Sequence, residues 1–455
     1  MHKDLISRET AVPVAGISDG NGGSTEARNG RAVLVGVELK GRASVWTVED
    51  SLAELGRLAS TAGLHVVDAT WQKLERPHPR TWIGSGKVLE LKELCAAHDA
   101  GCVLFDDELS PGQQKKLEAT LGEGIRVIDR TRLILDIFAQ HAHTREGKLQ
   151  VELAQYQYLL PRLAGLRAGL SQQAGTSGTV GLKGPGETQL ELDRRQARRR
   201  IATLRTGLEE MRNQRIRHRQ RRENSGLPVI ALVGYTNAGK SSLLNALTGA
   251  GVLVQDKLFA TLDPTTRRLK LPGGREALLT DTVGFIRKLP HDLVAAFRAT
   301  LEGIEEASLI LHVVDSSQPH ASEQIVAVEE VLGGLQVAQT PQLIVWNKTD
   351  LLPDHLPPAV LGSPRDHALT ISARTGDGLE ALLAKTEEML GADLVDLSVL
   401  IPYTRYELGR RLFEQGAVSS KVDTAEGVRL RASVPEAVAV RVAQFVQEEK
   451  EATIR

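Results

Sequence analysis

The chain of 455 residues is long enough for roughly three domains at about 150 residues each, and its 41% apolar and 25% charged residues are the ordinary balance of a soluble globular protein. No window approaches about 18 uninterrupted apolar residues and the N-terminus has no hydrophobic segment, so neither a membrane span nor a signal peptide is expected. Aromatics at 4% argue against base stacking as a dominant theme, and the two cysteines, Cys95 and Cys102, fit no zinc or redox spacing and read as buried thiols in a reducing cytosol.

Residues 1–30 are rich in Gly, Ser, Thr and Asn (ISDGNGGSTEARNG), cannot bury a core and read as a disordered leader. From Arg31 strands alternate with helices. AVLVGVEL is a strand, SLAELGRLASTAGL a helix ending near Gly63, HVVDATWQKL a strand, KVLELKELCAAHDAG a helix and CVLFDDEL a strand, followed by a polar helix from Ser110 and the short run IRVID. That alternation predicts an α/β domain with a parallel sheet over residues 31–130. Within it Gly84-Ser85-Gly86-Lys87 resembles half a phosphate loop. Thr81 stands where the first glycine should be and Val88 where Ser or Thr is needed, so it fails as a nucleotide cradle and is a structural turn or a basic turn touching RNA phosphate.

Residues 131–225 read as a helical hairpin. The first arm is one long helical pattern from Thr131 to Leu163, in which His141 and His143, two apart, point to different sides and make a poor metal pair. A glycine-rich stretch, AGLRAGLSQQAGTSGTVGLKGPGE, follows as a loop that is either slack or orders on a partner. Helix resumes from Thr188 to Arg222, with Ala197, Ile201, Leu204, Leu208 and Met211 as a packing seam. Its other faces carry Arg194, Arg195, Arg198, Arg199, Arg200, Arg205, Arg212, Arg215, Arg217, Arg219, Arg221 and Arg222. Net charge over the whole chain is only −1, yet residues 141–225 hold 17 Lys+Arg against 8 Asp+Glu, a local +9. So one-signed a face predicts contact with nucleic-acid phosphate, and the scarcity of aromatics and lack of any DNA-reading motif favour RNA backbone and shape over DNA.

Residues 226–395 carry the chemistry. The apolar run Val229 to Val233 enters Gly234-Tyr235-Thr236-Asn237-Ala238-Gly239-Lys240-Ser241 and a helical pattern leaves it, which is the full G-x-x-x-x-G-K-S/T phosphate loop in its strand–loop–helix context. Its backbone N–H groups cradle phosphate, Lys240 adds a point charge for the β- and γ-phosphates, and Ser241 offers a hydroxyl to Mg²⁺. Further strands are expected around Leu278, Leu309, Leu343 and Leu369, with a motif at the end of several of them, where a doubly wound sheet places its ligand crevice. Asp281-Thr282-Val283-Gly284 supplies a carboxylate for Mg²⁺ and an amide for the γ-phosphate. Asn347-Lys348-Thr349-Asp350 places a carboxylate that can accept from guanine N1–H and its exocyclic amine together, which adenine cannot match, and Ser372-Ala373-Arg374 follows with donors for guanine O6. These matches, in order and each after a strand, identify a P-loop GTPase of the translation-factor-related class. Between phosphate loop and DTVG, Phe259-Ala260-Thr261-Leu262-Asp263 is the switch phrase, with Thr261 chosen for the second Mg²⁺ hydroxyl and Thr265 and Thr266 as rivals. Phe285 occupies the place where Ras-like enzymes have a water-orienting glutamine, so hydrolysis alone should be slow. Asn237 matches the asparagine of potassium-activated GTPases and suggests a K⁺ site.

The phrases GYTNAGKS, FATLDPTTR and DTVGF, with WIGSGK, DDELSPGQQ and GPGETQLELDRR upstream, resemble the HflX family of ribosome-associated GTPases over residues 31 to about 395. The resemblance implies that the N-terminal domain and hairpin bind the large ribosomal subunit and its rRNA, with the glycine-rich loop toward the peptidyl-transferase region. It also implies that the GTP-bound form splits or rescues stalled ribosomes, notably under stress. Residues 396–455 read as strand, helix, two strands and a final helix, similar to a small α+β C-terminal domain of some family members. The expected whole is thus an α/β multidomain protein: N-terminal α/β domain with hairpin, central GTPase domain with a mostly parallel sheet, and C-terminal domain. It should be cytoplasmic and monomeric, with GTP, GDP and Mg²⁺ as ligands. The competing reading is a GTP-dependent regulator of a membrane protease or other protein, peripheral to the membrane, with RNA contact incidental.

Overall fold

The computed structural model describes residues 30–41, 46–166, 185–223, 227–249, 258–259, 261–288, 303–335, 337, 339–352, 368–391, 394–405, 409, 412, 417–435, 439, 442 and 445. The expected leader up to residue 29, the glycine-rich loop across 167–184, Ala260, and most of the two expected C-terminal helices lie outside them. The chain divides into two compact units, residues up to 140 with 154–201, and residues 141–153 with 202–455.

In the first unit, β1 (Arg31–Leu39), β2 (His65–Leu74), β3 (Cys102–Phe105) and β4 (Arg126–Asp129) form one parallel sheet in the order β2-β1-β3-β4. The crossovers run through α1 (Val48–Thr61), α2 (Ser85–Ala97) and α3 (Pro111–Leu121). Two of these helices start where their sequence says they should. Thr47 and Asp50 form a capping box at α1, and Ser110 and Gln113 do so at α3, with Pro111 in the first helical turn where its missing N–H costs nothing. β3 is buried along its whole length, the continuous apolar run of a parallel strand covered on both faces. Val33, Val35, Leu91, Val103, Phe105 and Leu117 share one core with Cys95, and at the start of β3 burial pushes the Cys102 thiol up to about 12 and leaves it unreactive.

At the C-terminal ends of these strands lies a buried polar cluster. Arg130 pairs with Glu54 and with Asp106 (2.6 Å), all three almost without exposure, and Ser51 Oγ donates to the second oxygen of Asp106 at 2.7 Å. Beside it Asp129 accepts from Tyr158 Oη (2.9 Å) and Arg162 (3.2 Å). Every buried carboxylate here faces a cation, which is the condition for charges to stay in a low-dielectric interior.

The helical pattern over 131–163 is not one helix. α4 (Arg130–His141) stops, and α5 (Arg145–Leu166) starts anew after Thr144, whose hydroxyl accepts from Gly147 N at 3.0 Å in an N-cap bond. α6 (Pro185–Glu223) is 39 residues long. Ala197, Ile201 and Leu204 of its expected seam are buried, Leu208 and Met211 half-buried, while Arg195, Arg198, Arg199, Arg200, Arg205, Arg212 and Arg217 are exposed. Within the second unit Arg215 of α6 pairs with Glu146 of α5.

That second unit holds a six-stranded sheet of β5 (Val229–Gly234), β6 (Thr265–Lys270), β7 (Glu276–Asp281), β8 (Leu309–Asp315), β9 (Gln342–Asn347) and β10 (Ala368–Thr370), in the order β10-β9-β8-β5-β7-β6. Pairing is parallel except at the edge, where β6 runs antiparallel to β7. α7 (Lys240–Thr248), α8 (Ala321–Gly333) and α9 (Leu379–Gly391) accompany it. Ile230, Leu232, Leu243, Leu279, Leu309, Leu311, Leu343 and Leu382 make the core, each worth about 1.5–3 kcal/mol on full burial. A separate antiparallel sheet follows, β11 (Leu394–Ile401), β12 (Ala417–Thr424) and β13 (Gly427–Pro435) in the order β11-β13-β12, over a core of Val399, Ile401, Leu430 and Val434.

Candidate functional site

The parallel strands β5, β7, β9 and β10 end on one side of the sheet, and every expected nucleotide motif except the switch phrase begins at such an end. After β5 the chain turns through Tyr235, Thr236, Asn237 and Ala238 into α7. Lys240, the first residue of α7, is buried and donates to the carbonyls of Gly234 (3.1 Å) and Tyr235 (2.9 Å). Burial holds its ammonium down to about 8, opposed by the nearby Asp281 carboxylate. A buried cation tied only to neutral carbonyls is poised for a polyanion. Gly239 has φ 95°, and a Cβ there would collide with Asn347 Nδ2, so the loop closes on this strand end only with glycine. Thr236 Oγ1 is buried with no hydrogen-bond partner, and Asn237, at φ 62°, is exposed.

Three hard oxygen ligands converge beside Lys240. Ser241 Oγ donates to Asp281 Oδ2 at 2.6 Å and lies 2.8 Å from Thr261 Oγ1. Asp281 is fully buried, burial raises its carboxyl despite Lys240 and the two hydroxyls, and its Oδ1 has no partner in the structure. An orphaned carboxylate oxygen beside two hydroxyls fits Mg²⁺, a hard cation that takes oxygen ligands and keeps several waters. Thr266 is no longer a rival for this cluster, since its hydroxyl lies 3.0 Å from Thr280 Oγ1 across β6 and β7. Asp263, on the same switch phrase, accepts from the backbone of His143 (2.9 Å) and Thr144 (2.8 Å). Leu262 between them is buried, as is Phe259, which has a left-handed φ of 58°. Thr282 Oγ1 donates to Leu232 O at 2.7 Å, which ties the DTVG turn to β5. Val283 is buried, and a Cβ on Gly284 would lie 3.1 Å from Lys240 Nζ, so that turn rests directly against the phosphate loop. Phe285 is buried too, and its backbone is bound on both sides, N to Gly234 O (3.1 Å) and O from Thr236 N (2.7 Å).

The residues expected to form the base pocket lie at the ends of β9 and β10. Asn347 Nδ2 donates to Ala238 O (2.9 Å) and its Oδ1 accepts from Ala373 N (3.0 Å), so one side chain joins the phosphate loop to the Ser372-Ala373 turn. Asp350 Oδ1 accepts from Ser372 Oγ at 2.7 Å, which aims the carboxylate, and Arg374 next to it is exposed. Lys348 has φ 66° and pairs with Asp315 at the end of β8 (2.8 Å). Asp315 was not singled out from sequence, although a lone acid closing the apolar strand LILHVVD is a readable signal. Nor was the side-chain role of Tyr235, whose hydroxyl accepts from Arg287 N at 2.8 Å and so links the phosphate loop to the segment after the DTVG turn.

Four family models match in order: "GTP-binding GTPase N-terminal" over 49–139, "GTP-binding GTPase Middle Region" over 141–222, "50S ribosome-binding GTPase" over 229–348 and "HflX C-terminal domain" over 361–451. The GTPase HflX of Caldanaerobacter subterraneus is 48% identical over 398 residues, 88% of this chain and 90% of that one. That of Escherichia coli is 43% identical over 388 residues, 85% of this chain and 90% of that one. The chain belongs to the HflX family. It is a P-loop GTPase, and the hydroxyl and carboxylate cluster above is where such an HflX-family enzyme would hold Mg²⁺ with its nucleotide. A GTP-binding protein of Sulfolobus solfataricus, solved with GDP, aligns at 24% identity and a TM-score of 0.41 over 79% of this chain and 98% of its own. The last HflX model begins at 361, ahead of β10 and α9, although both belong to the GTPase sheet and its core. Among the described residues no helix is long and apolar enough to cross a membrane.

Proposed function

We propose that this chain is a cytoplasmic, GTP-driven factor that binds the large ribosomal subunit through rRNA and splits or rescues stalled ribosomes, notably under stress. The observation that carries the reading is the exposed arginine face of α6, with Arg195, Arg198, Arg199, Arg205, Arg212 and Arg217 spread along a helix of 39 residues, about 58 Å at 1.5 Å per residue. A rod of that length on which arginine far outnumbers the acids suits an extended phosphate backbone better than an ordinary solvated helix, where the two signs balance.

In this reading Gly234, Tyr235, Thr236, Asn237, Ala238 and Gly239 wrap the phosphates. Lys240 moves its charge from the two loop carbonyls to the β- and γ-phosphates, Ser241, Thr261 and Asp281 face the metal, and the Gly284 amide meets the γ-phosphate. Asp350 selects guanine, while Asn347, Lys348, Ser372 and Ala373 shape its pocket. Mg²⁺ held by Ser241, Thr261 and Asp281 would offset negative charge on the nucleotide's phosphates. Phe285, buried and bound through both backbone groups, cannot aim a water, so turnover is slow until the ribosome supplies orientation. Asn237, exposed on the phosphate loop, would help hold K⁺ beside the phosphates. Equal turnover in K⁺ and Na⁺ buffers would dismiss that ion.

Co-sedimentation with 50S subunits in a non-hydrolysable GTP analogue tests the reading, and absence of binding in every nucleotide state would end it. Reversing Arg195, Arg198 and Arg199 to Glu should abolish the association. Unchanged association would favour a protein partner instead.

A further inference from the structure

The switch phrase makes two attachments two residues apart. Thr261 faces Ser241 and Asp281 at the metal-facing cluster. Asp263 is held by the start of α5: its Oδ2 accepts from His143 N (2.9 Å) and Thr144 N (2.8 Å), and its Oδ1 accepts from Thr144 Oγ1. Thr144 is the N-cap of α5, since its hydroxyl also receives Gly147 N and its carbonyl receives Lys148 N (3.0 Å). All these residues lie within the second compact unit.

We propose that Thr144 is a positioning residue for GTP hydrolysis: by clamping Asp263 it holds Thr261 toward the metal and the γ-phosphate. This rests on the reading of Ser241, Thr261 and Asp281 as the metal-facing cluster. Two residues of chain reach at most about 7 Å, so fixing the Asp263 carboxylate confines the Thr261 hydroxyl. Leu262 is buried between them and sets the depth of the segment, but apolar burial has no direction. Direction comes from the three hydrogen bonds, two of them charge-assisted bonds from backbone amides at a helix start, where a carboxylate is favoured. A cavity of about 330 Å³ lined by Gly147, Gln150, Arg215, Pro264, Thr266 and Glu306 adjoins the contact, so close packing does not hold the segment there. Gly147 supplies an independent sign that the approach is built: a Cβ at that position would collide with Asp263 Oδ1. Glycine in the first turn of a helix is otherwise a poor choice.

The clamp acts on turnover and not on the guanine pocket. Single-turnover hydrolysis, KM and GDP affinity are to be measured for the full chain and for Thr144→Val, Thr144→Ser, Gly147→Ala and Ser241→Ala. Thr144→Val should lower kcat roughly five- to tenfold, about the effect of freeing one charge-assisted contact, with KM and GDP affinity unchanged. Thr144→Ser should restore the rate to within about twofold, because the hydroxyl does the holding. Gly147→Ala decides the matter even if Thr144→Val folds poorly. Alanine strengthens α5, so a merely structural role leaves the rate alone, whereas displacement of Asp263 lowers kcat as Thr144→Val does. Wild-type kcat in Gly147→Ala and Thr144→Val, or an equal loss in Thr144→Ser and Thr144→Val, overturns the proposal. Undiminished Mg²⁺-dependent hydrolysis in Ser241→Ala overturns the metal-facing cluster itself, and the clamp with it.

Discussion

Two sheets in this chain, one parallel and one parallel but for an edge strand, end in buried polar groups and use them oppositely. In the N-terminal sheet Arg130 lies between Glu54 and Asp106, and the near-miss turn closes on itself: Gly84 N donates to Gln72 Oε1 (2.9 Å) and Lys87 pairs with Glu90 (2.7 Å). In the GTPase sheet Lys240 has only carbonyl partners, Asp281 Oδ1 and Thr236 Oγ1 have none, and His312 is buried and pushed down to about 4 by burial and by Lys240. A polar cluster that neutralises itself is scaffold. One whose buried cation meets only neutral carbonyls at the strand ends is the candidate site, which an anionic ligand would complete.

The largest effect expected from this contrast is on stability. Arg130→Met should destabilise the protein by about 3–5 kcal/mol in urea unfolding, since it strands two buried carboxylates. Lys240→Met should instead stabilise the nucleotide-free protein, by about 1–3 kcal/mol, because it removes a cation that burial disfavours. Equal signs for the two would break the comparison. Next comes catalysis: Lys240→Ala should lower GTP turnover by about 10²–10³-fold, while Lys87→Ala leaves it unchanged, measured by phosphate release.

His312 gives the third test. Its folded value is about 4 against 6.5 for the free side chain, so between those values the unfolded chain binds the extra proton. Stability is therefore full above pH 6.5 and falls as pH drops toward 4, by about 2–3 kcal/mol between pH 7 and 4.5. His312→Gln should flatten that part of the urea-midpoint profile relative to wild type. The smallest effect concerns binding. With Lys240 at about 8 in the free protein, GTP must recharge it at higher pH, so affinity should fall up to about fivefold from pH 8 to 9. Calorimetry in buffers of different ionisation enthalpy should show proton uptake, and none at pH 9 would mean the lysine is already charged.

Much of this was legible in residue order. The strand–loop–helix of Gly234 to Ser241, the acid closing β7 and the Asn347 to Asp350 phrase after β9 stand where their spacing put them. The failure of Gly84 to Lys87 as a cradle was equally readable, from Thr81 and Val88. Other features were not. The helical periodicity of 131–163 runs through Ala142–Thr144 without a proline, so the break between α4 and α5 is invisible unless Thr144 is weighed as a cap. β6 was read only as the tail of a switch because TTRRLK is mostly exposed at an edge and lacks alternation.

Local sequence by itself determined the nucleotide motifs that mark a P-loop GTPase and the arginine-rich composition of one helix, because these depend on residue types at short spacing. Tertiary structure alone brought Thr261 to Ser241, turned Thr266 to Thr280, and joined Asp263 to Thr144 across 119 positions. Such choices depend on which strands pair and which helix start lies against a loop, and no short window of sequence contains both partners.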